Sequence, residues 1–422
     1  MADTVSQIKE RLDIADFLRG YLQVTPAGKN LKARCPFHQE KTPSFMISPE
    51  RQTWHCFGCG LGGDAISFLM KYENIEFFDA LKILAEKTGV DIRQSGNQDQ
   101  RQLNTLYDIN KSAAAFFKNS MTAAAGDYLK SRGLKLETIE EFGVGFAPDD
   151  PDAISRHLAN SDHSVANIEK AGLILKTERG TYLDRFRNRI MFPIANAFGK
   201  IVGFTGRIMP GFESEKIGKY VNSPETPIFN KSKLLYGFDK TKNFIREKKS
   251  AVLVEGQMDF LMAWQDGLKN LVATSGTALT LDHLRTIKRI ADNLILSFDS
   301  DDAGQNATER SIDLAGSADL ASRVLELPPD LEAKDPADIA LSKPGLLAKL
   351  VETAKPAMEY YFNRYDVSKK SDIVQWKKNV RAVLGKIKSL WSAMERSHLI
   401  KEVSTRSGID EVNILEEMEA IK

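Results

Sequence analysis

Apolar positions recur at helical spacing over residues 4–22, where Thr4 and Gln7 stand three apart as a capping box requires. The pattern then breaks into a segment rich in Pro, Gly and aromatic residues, 31–63, before helical spacing returns at 64–72 and 77–88, with Leu81, Leu84 and Ala85 on one face. Residues 93–104 are polar, almost free of apolar side chains, and read as a linker. Helical periodicity resumes from 105 to about 136. Two apolar runs, 189–194 and 200–205, flank the turn-forming residues 196–199 and predict a hairpin. From residue 250 the pattern alternates: strands at 251–254, 270–273, 293–298 and 323–327, helices at 258–266, 281–290 and 303–315. Such alternation predicts a parallel sheet with helices on its faces, whose ligands sit beyond the carboxyl ends of the strands. The remainder, 343–422, is rich in Lys and Glu and helical in period.

These elements predict an α+β multi-domain chain: a small N-terminal module (1–92), the linker (93–104), a mixed α/β region (105–249), a parallel α/β module (250–342) and a helical bundle (343–422). The total of 422 residues is too long for one core. No apolar run approaches the roughly 20 residues needed to span a bilayer. Met1 to Glu10 carries neither the basic nor the apolar region of a signal peptide, so a cytoplasmic protein with no membrane partner is expected.

Net charge is only +1, but residues 185–249 hold fourteen Lys or Arg against five Asp or Glu, a local +9 that leaves about −8 elsewhere. A basic segment within an acidic chain is either a solvated face or the footprint of a polyanion.

All three cysteines lie in the first sixty residues. Cys35 and His38 form one short-spaced pair, Cys56 and Cys59 another. Two such pairs, each on a tight turn, suit one tetrahedral structural zinc ion with no open position. His55, outside this spacing, is expected to pack or to face nucleic acid. Phe37, Phe45, Trp54 and Phe57 interleave with Lys32, Arg34, Lys41 and Arg51, a mixture suited to stacking and phosphate contacts on a single strand. Phe37 and Phe57 are expected to cover the metal; Trp54 fits either role.

Three acidic clusters follow predicted strands: Glu255 with Asp259 one helical turn on, Asp299-Ser-Asp301-Asp302, and Asp335-Pro-Ala-Asp338. Bare carboxylates gathered in one crevice repel unless a cation lies between them, and oxygen ligands select Mg²⁺ or Mn²⁺. The alternative is that each acid caps the helix after it. A calcium EF-hand is excluded, because Ala303 and Arg310 occupy ligand positions of that loop.

Together these motifs resemble the bacterial DnaG-type primase family. Cys35-Pro-Phe-His38, Glu40-Lys-Thr-Pro-Ser-Phe45 and His55-Cys-Phe-Gly-Cys-Gly60 are similar to its zinc ribbon. Arg185-Phe-Arg-Asn-Arg-Ile-Met-Phe-Pro193 and Lys219-Tyr-Val-Asn-Ser-Pro-Glu-Thr226 resemble its basic motifs, and Val254-Glu-Gly256 with Phe298-Asp-Ser-Asp-Asp-Ala-Gly304 its TOPRIM fold. The resemblance implies an enzyme that writes short RNA primers on single-stranded DNA from ribonucleoside triphosphates. Zinc would be bound by Cys35, His38, Cys56 and Cys59. Two catalytic Mg²⁺ ions would sit at Glu255, Asp299 and Asp301, near Asp259 and Asp335, with Glu255 as ligand or general base. Template, primer or nucleotide would meet Arg185, Arg189, Arg207, Lys219, Asn222 and Lys231. A monomer acting at the nucleoid is implied, and in the family a further helical domain docks on the replicative helicase. Ala337 stands where the family often has a second aspartate in its third acidic cluster, with Asp338 one position late. A topoisomerase would need a nucleophilic tyrosine in a partner domain, and a fused helicase a phosphate loop that this sequence lacks. A metal-dependent nuclease shares the acidic site and differs in needing no nucleoside triphosphates.

Overall fold

The computed structural model describes residues 2–38, 40–73, 75, 77–90, 98–213, 218–327, 333, 335–368, 372–390 and 393–421. The chain folds as two compact units, residues 1–242 with 273–290, and residues 243–272 with 291–422.

The first unit opens with helices Ala2–Arg11 and Ile14–Arg19. The single helix expected over 4–22 is broken because Asp13 takes extended backbone and caps the second helix, its carboxylate accepting from Asp16 N at 2.9 Å. Thr4 lies inside the first helix, not at its start as the expected capping box needs. Five short antiparallel strands follow in sequence order: Thr25–Ala27, Asn30–Ala33, Phe45–Ser48, Thr53–Cys56 and Gly62–Gly63. Alternation puts Ala33, Phe45, Ile47, Trp54 and Cys56 on one buried face against helices Ala65–Glu73 and Phe77–Thr88. Trp54 therefore belongs to the core: it stacks on Phe45 at 4.8 Å, meets Phe68 edge-on, and donates its indole N–H to Asp64 O.

Helix Gln98–Asn119 takes in residues 98–104 of the expected linker; 93–97 lie outside the described residues. It packs on a four-stranded antiparallel sheet ordered Tyr220–Asn222, Ile201–Ile208, Arg189–Ala195 and Gly145–Ala147. The central pair is the predicted hairpin. Asn196 makes its turn by accepting from Phe198 N and Lys200 N, and Gly199 supplies the positive φ of 77°. Gly145 lies against the Phe117 backbone, where a Cβ would meet a carbonyl carbon at 2.4 Å. Residues 273–290, which the alternating pattern groups with the α/β module, pack with this unit. Thr280 Oγ1 donates to Ser232 O, His283 Nε2 lies 2.9 Å from Lys231 O, and Tyr236 N donates to Ala273 O.

The second unit is built on a five-stranded sheet ordered Leu271–Ala273, Ser250–Val254, Asn293–Leu296, Ala321–Val324 and Lys355–Pro356. The Ser250, Asn293 and Ala321 strands run parallel, and Lys355–Pro356 pairs antiparallel at the edge. The last predicted strand, 323–327, begins two residues early because Ala321 N already bonds Asp292 O. Helices Gln257–Gln265, Asp302–Ser317 and Pro336–Ser342 start just beyond the Ser250 strand, the Asn293 strand and residue 335. A helical bundle, Ile373–Lys388, Ala393–Ser407 and Glu411–Ala420, closes on Val383, Leu384, Ile387, Val403 and Ile414. No described helix is long and apolar enough to cross a membrane.

Candidate metal centres and nucleic-acid face

The Cys/His segment folds its two ligand pairs onto one point: ligand atoms of Cys35, His38, Cys56 and Cys59 all lie within 4.8 Å of one another. Cys35 Sγ is 3.9 Å from Cys59 Sγ, and Cys56 Sγ is 3.7 Å from His38 Nδ1. Zinc bonds of about 2.3 Å to sulfur and 2.0–2.1 Å to nitrogen give tetrahedral edges of roughly 3.5–3.8 Å, so the donor set fits the ion in chemistry and size. The second pair sits on a turn closed by Gly60 N to Cys56 O, with Gly60 at φ 72°. Gly58 has no alternative: a Cβ there would fall 2.4 Å from His38 Nε2.

Glu40 organises this centre, and sequence spacing did not single it out. Its carboxylate accepts from Cys35 N at 2.7 Å and Ser44 N at 3.0 Å, bonds the Ser44 hydroxyl, and faces His38 Nε2 at 3.3 Å. Burial works against its charge, but these donors outweigh it and hold the carboxyl below its ordinary range. A carboxylate on the far nitrogen of a ligand histidine fixes the ring and its tautomer. Burial pushes the Cys35 thiol up. At Cys56 burial pulls the same way but yields to donors from Ser44 and the 58–59 backbone, so that thiol is lowered.

His55 is not part of the ligand group. It is exposed, edge-on to Phe57 at 4.8 Å. Phe57 corrects the expectation that it covers the metal: it is 74% exposed, whereas Phe37 does pack inward against Trp54 and Phe68.

In the second unit the parallel strands deliver the acids to their carboxyl ends. Glu255 follows Ser250–Val254, and its Oε1 accepts from Asp299 N at 3.3 Å, beyond the neighbouring strand. Asp259 bonds back to Gly256 N at 3.1 Å. Asp301 and Asp335 are helix caps, accepting from Gly304 N at 2.8 Å and Asp338 N at 2.7 Å. Capping and convergence are thus not alternatives. Burial, then the Asp335, Asp299 and Glu255 charges, raise Asp259 to about 7. Burial, then Glu255, Asp335, Asp301 and Asp338, raise Asp299 to about 6, and Glu255 is raised by burial and Asp301. Burial and neighbouring like charges both disfavour the ionised form of these carboxyls. Among the described residues no carboxylate group closes as tightly as the Cys/His set. Gly304 permits the turn, because a Cβ there would fall 2.2 Å from Asp299 O.

The basic strip divides into two classes. Arg189 is 5% exposed and donates to Gly206 O and Lys219 O; Arg207 is 7% exposed and lies over the Tyr128 ring at 4.6 Å. Arg185 donates to Gly172 O, and burial lowers its pKa. Arg189 and Arg207 are thus buried in the sheet with their guanidinium groups turned to carbonyls and rings, whereas Arg185 is half-buried with its Nε on a carbonyl. Lys219 is exposed beside Tyr220. Asn222 and Lys231 line one narrow cavity with Ser275 and Thr277, and Asn222 is oriented by Thr205 Oγ1 and Ser275 O.

Three family descriptions match successive stretches: "CHC2 zinc finger" over 1–100, "DNA primase catalytic core, N-terminal domain" over 114–242, and "Toprim-like" over 252–340. A DNA primase of Halalkalibacterium halodurans is 36% identical over 417 residues, covering 95% of this chain and 68% of that one. The chain belongs to the DnaG-type DNA primase family. DNA primases of Pseudomonas putida and Geobacillus stearothermophilus are 36% and 41% identical over stretches that cover 56% of each of those proteins. The Aquifex aeolicus primase structure, comprising zinc-binding and RNA polymerase domains, is similar at TM-score 0.63 and 29% identity over 98% of this chain and 99% of that one. The structure of a DnaG primase catalytic domain bound to ssDNA is similar at TM-score 0.61 and 29% identity, over 72% of this chain and 99% of that one. The chain thus carries the zinc finger, catalytic core and Toprim-like module of a primase.

Proposed function

We propose that this chain synthesises short RNA primers on single-stranded DNA by nucleotidyl transfer from ribonucleoside triphosphates. The observation that carries the reading is the acidic crevice, where Glu255, Asp259 and Asp299 gather at the carboxyl ends of parallel strands and are raised by burial and by neighbouring acidic charges, Asp301 and Asp335 among them. A binding protein has no use for that repulsion. Glu255, Asp299 and Asp301 would hold two Mg²⁺ ions, with Asp259 and Asp335 beside them; Mn²⁺ satisfies the same donors. When bound, the ions supply charge neutralisation at the reacting phosphate and activation of a 3′-hydroxyl. The chain's own part is positioning: Gly304 lets the Asp299 turn close, and Asp301 and Asp335 are held by their caps. Cys35, His38, Cys56 and Cys59 hold structural zinc, so that the module's exposed face stays rigid toward template. Lys219, Asn222, Lys231 and the half-buried Arg185 hold phosphates of template or nucleotide, and Arg189 and Arg207, buried in the sheet, support that strip. The reading places the chain as a monomer in the cytoplasm, at the nucleoid, working alongside a replicative helicase.

The test is primer synthesis on mixed-sequence single-stranded DNA with four ribonucleoside triphosphates and Mg²⁺, products sized by gel. Wild type gives short RNA, and the Asp299→Ala, Asp301→Ala double variant gives none while still binding template. Metal-dependent cutting of the DNA without RNA synthesis would replace the primase reading by a nuclease.

A further inference from the structure

A groove of about 210 Å³ in the first unit lies outside the residues assigned above. Its walls include Tyr107 from the helix Gln98–Asn119, Phe198 from the hairpin turn, and Asn230 and Lys233 from the loop that follows Tyr220–Asn222. Each aromatic wall carries a cation: Lys200 Nζ stands 4.4 Å over the Tyr107 ring, and Lys242 Nζ stands 5.9 Å from the Phe198 ring. Phe198 is 44% exposed, held at the hairpin tip by the Asn196 turn, with Lys242 Nζ donating to Ala197 O at 2.6 Å beneath it. Phe198 is not among the buried core residues, and its turn holds a large apolar ring partly in solvent at the groove wall. Glu73, from the N-terminal module, is the one carboxylate among the lining residues.

We propose that this groove carries a stretch of single-stranded template DNA on its way between the N-terminal module and the sheet, with bases stacking on Phe198 and Tyr107 and phosphates meeting Lys200, Lys233 and Lys242. The proposal rests on the primase reading above and extends it to a site that reading does not use. Rings paired with cations are the composition of sequence-tolerant single-strand tracks, because every base offers a flat face and every linkage a negative charge. Duplex DNA is excluded, since its bases are already stacked and cannot reach rings set in a groove wall. The position fits as well. Glu73 brings the N-terminal module to one wall, and the hairpin brings the sheet to the other.

The experiment measures binding of the full chain to fluorescein-labelled single-stranded DNA across a series of KCl concentrations, alongside zinc content and primer synthesis. Phe198→Ala combined with Tyr107→Leu is expected to weaken binding on the order of tenfold or more, and Phe198→Trp to retain it. Lys200→Gln with Lys233→Gln is expected to flatten the plot of log affinity against log salt by about 0.7 per lysine. Zinc content and thermal melting stay at wild-type values, because Phe198 is outside the core. Unchanged affinity and unchanged salt slope in both pairs, with wild type binding normally, would overturn the groove and leave the primase reading intact. A loss of affinity that Phe198→Trp fails to restore would also overturn it, showing a structural role for the ring. A wild-type chain that neither binds single strands nor makes RNA would remove the primase reading, and this groove with it.

Discussion

Glu40 and Gly58 show how much of the zinc centre depends on side chains that are not ligands. Glu40→Gln keeps the size but loses the charge facing His38 Nε2, so zinc is expected to leave on the order of 10–100 times more readily, measured by competition with a chromogenic chelator. Gly58→Ala forces its methyl against the same ring and is expected to lower zinc occupancy in the purified protein. In the acidic crevice the sign of the pH effect follows from the raised groups. Asp259 near 7 and Asp299 near 6 keep protons in the folded, metal-free protein that the unfolded chain has already released above about 4. Between pH 4 and 7 the unfolded state therefore binds fewer protons, and metal-free stability falls as pH rises through this window. Mg²⁺ must displace those protons, so its stabilising shift in melting temperature is expected to be larger at pH 8 than at pH 5. An equal shift at both values would show that these carboxylates are not the ligands. Spacing alone made the four zinc ligands legible, because each pair sits within one turn. Glu40 was not legible as a partner, since its role requires the loop to fold back on His38.

At the scale of elements, the hairpin and the alternating module were readable because their signals are local: apolar runs of strand length, an Asn-to-Gly turn, acids at strand ends. Boundaries moved where a contact from elsewhere intervened, as when Asp13 broke the first helix in two and Asp292 drew the Ala321 strand forward. Sidedness was the larger loss. Arg189 and Arg207 belong to neighbouring strands of one sheet, and which way they point is set by pairing with Gly145–Ala147 and Tyr220–Asn222, far away in sequence. Helix Gln98–Asn119 lies so close to that sheet that Gly145→Ala is expected to destabilise the chain by about 1–3 kcal/mol or more in urea unfolding, through overpacking against the Phe117 backbone. A Gly126→Ala change, where a Cβ meets open space inside a helix, is expected to be neutral or stabilising in the same measurement.

For the whole molecule, the zinc-bearing module depends on its metal most, because its sheet is made of strands of two to four residues. Chelation is expected to shift tryptophan emission to longer wavelength as Trp54 leaves its stack on Phe45, while the second unit, whose core shares no residue with that module, keeps its own thermal transition. A single loss of all structure on chelation would refute that independence. The sequence by itself determined the class of each module, the zinc ligands and the acidic positions, since ligand spacing, strand-helix alternation and turn chemistry act over a few residues. Only the tertiary structure decided that Arg189 and Arg207 are buried in the sheet, that Phe57 faces outward while Trp54 is buried, that residues 273–290 pack with the first unit, and that burial and neighbouring acids raise Asp259 and Asp299. Each of those depends on register between distant strands and on what a side chain displaces from water when the sheet closes, and neither quantity is written in local spacing.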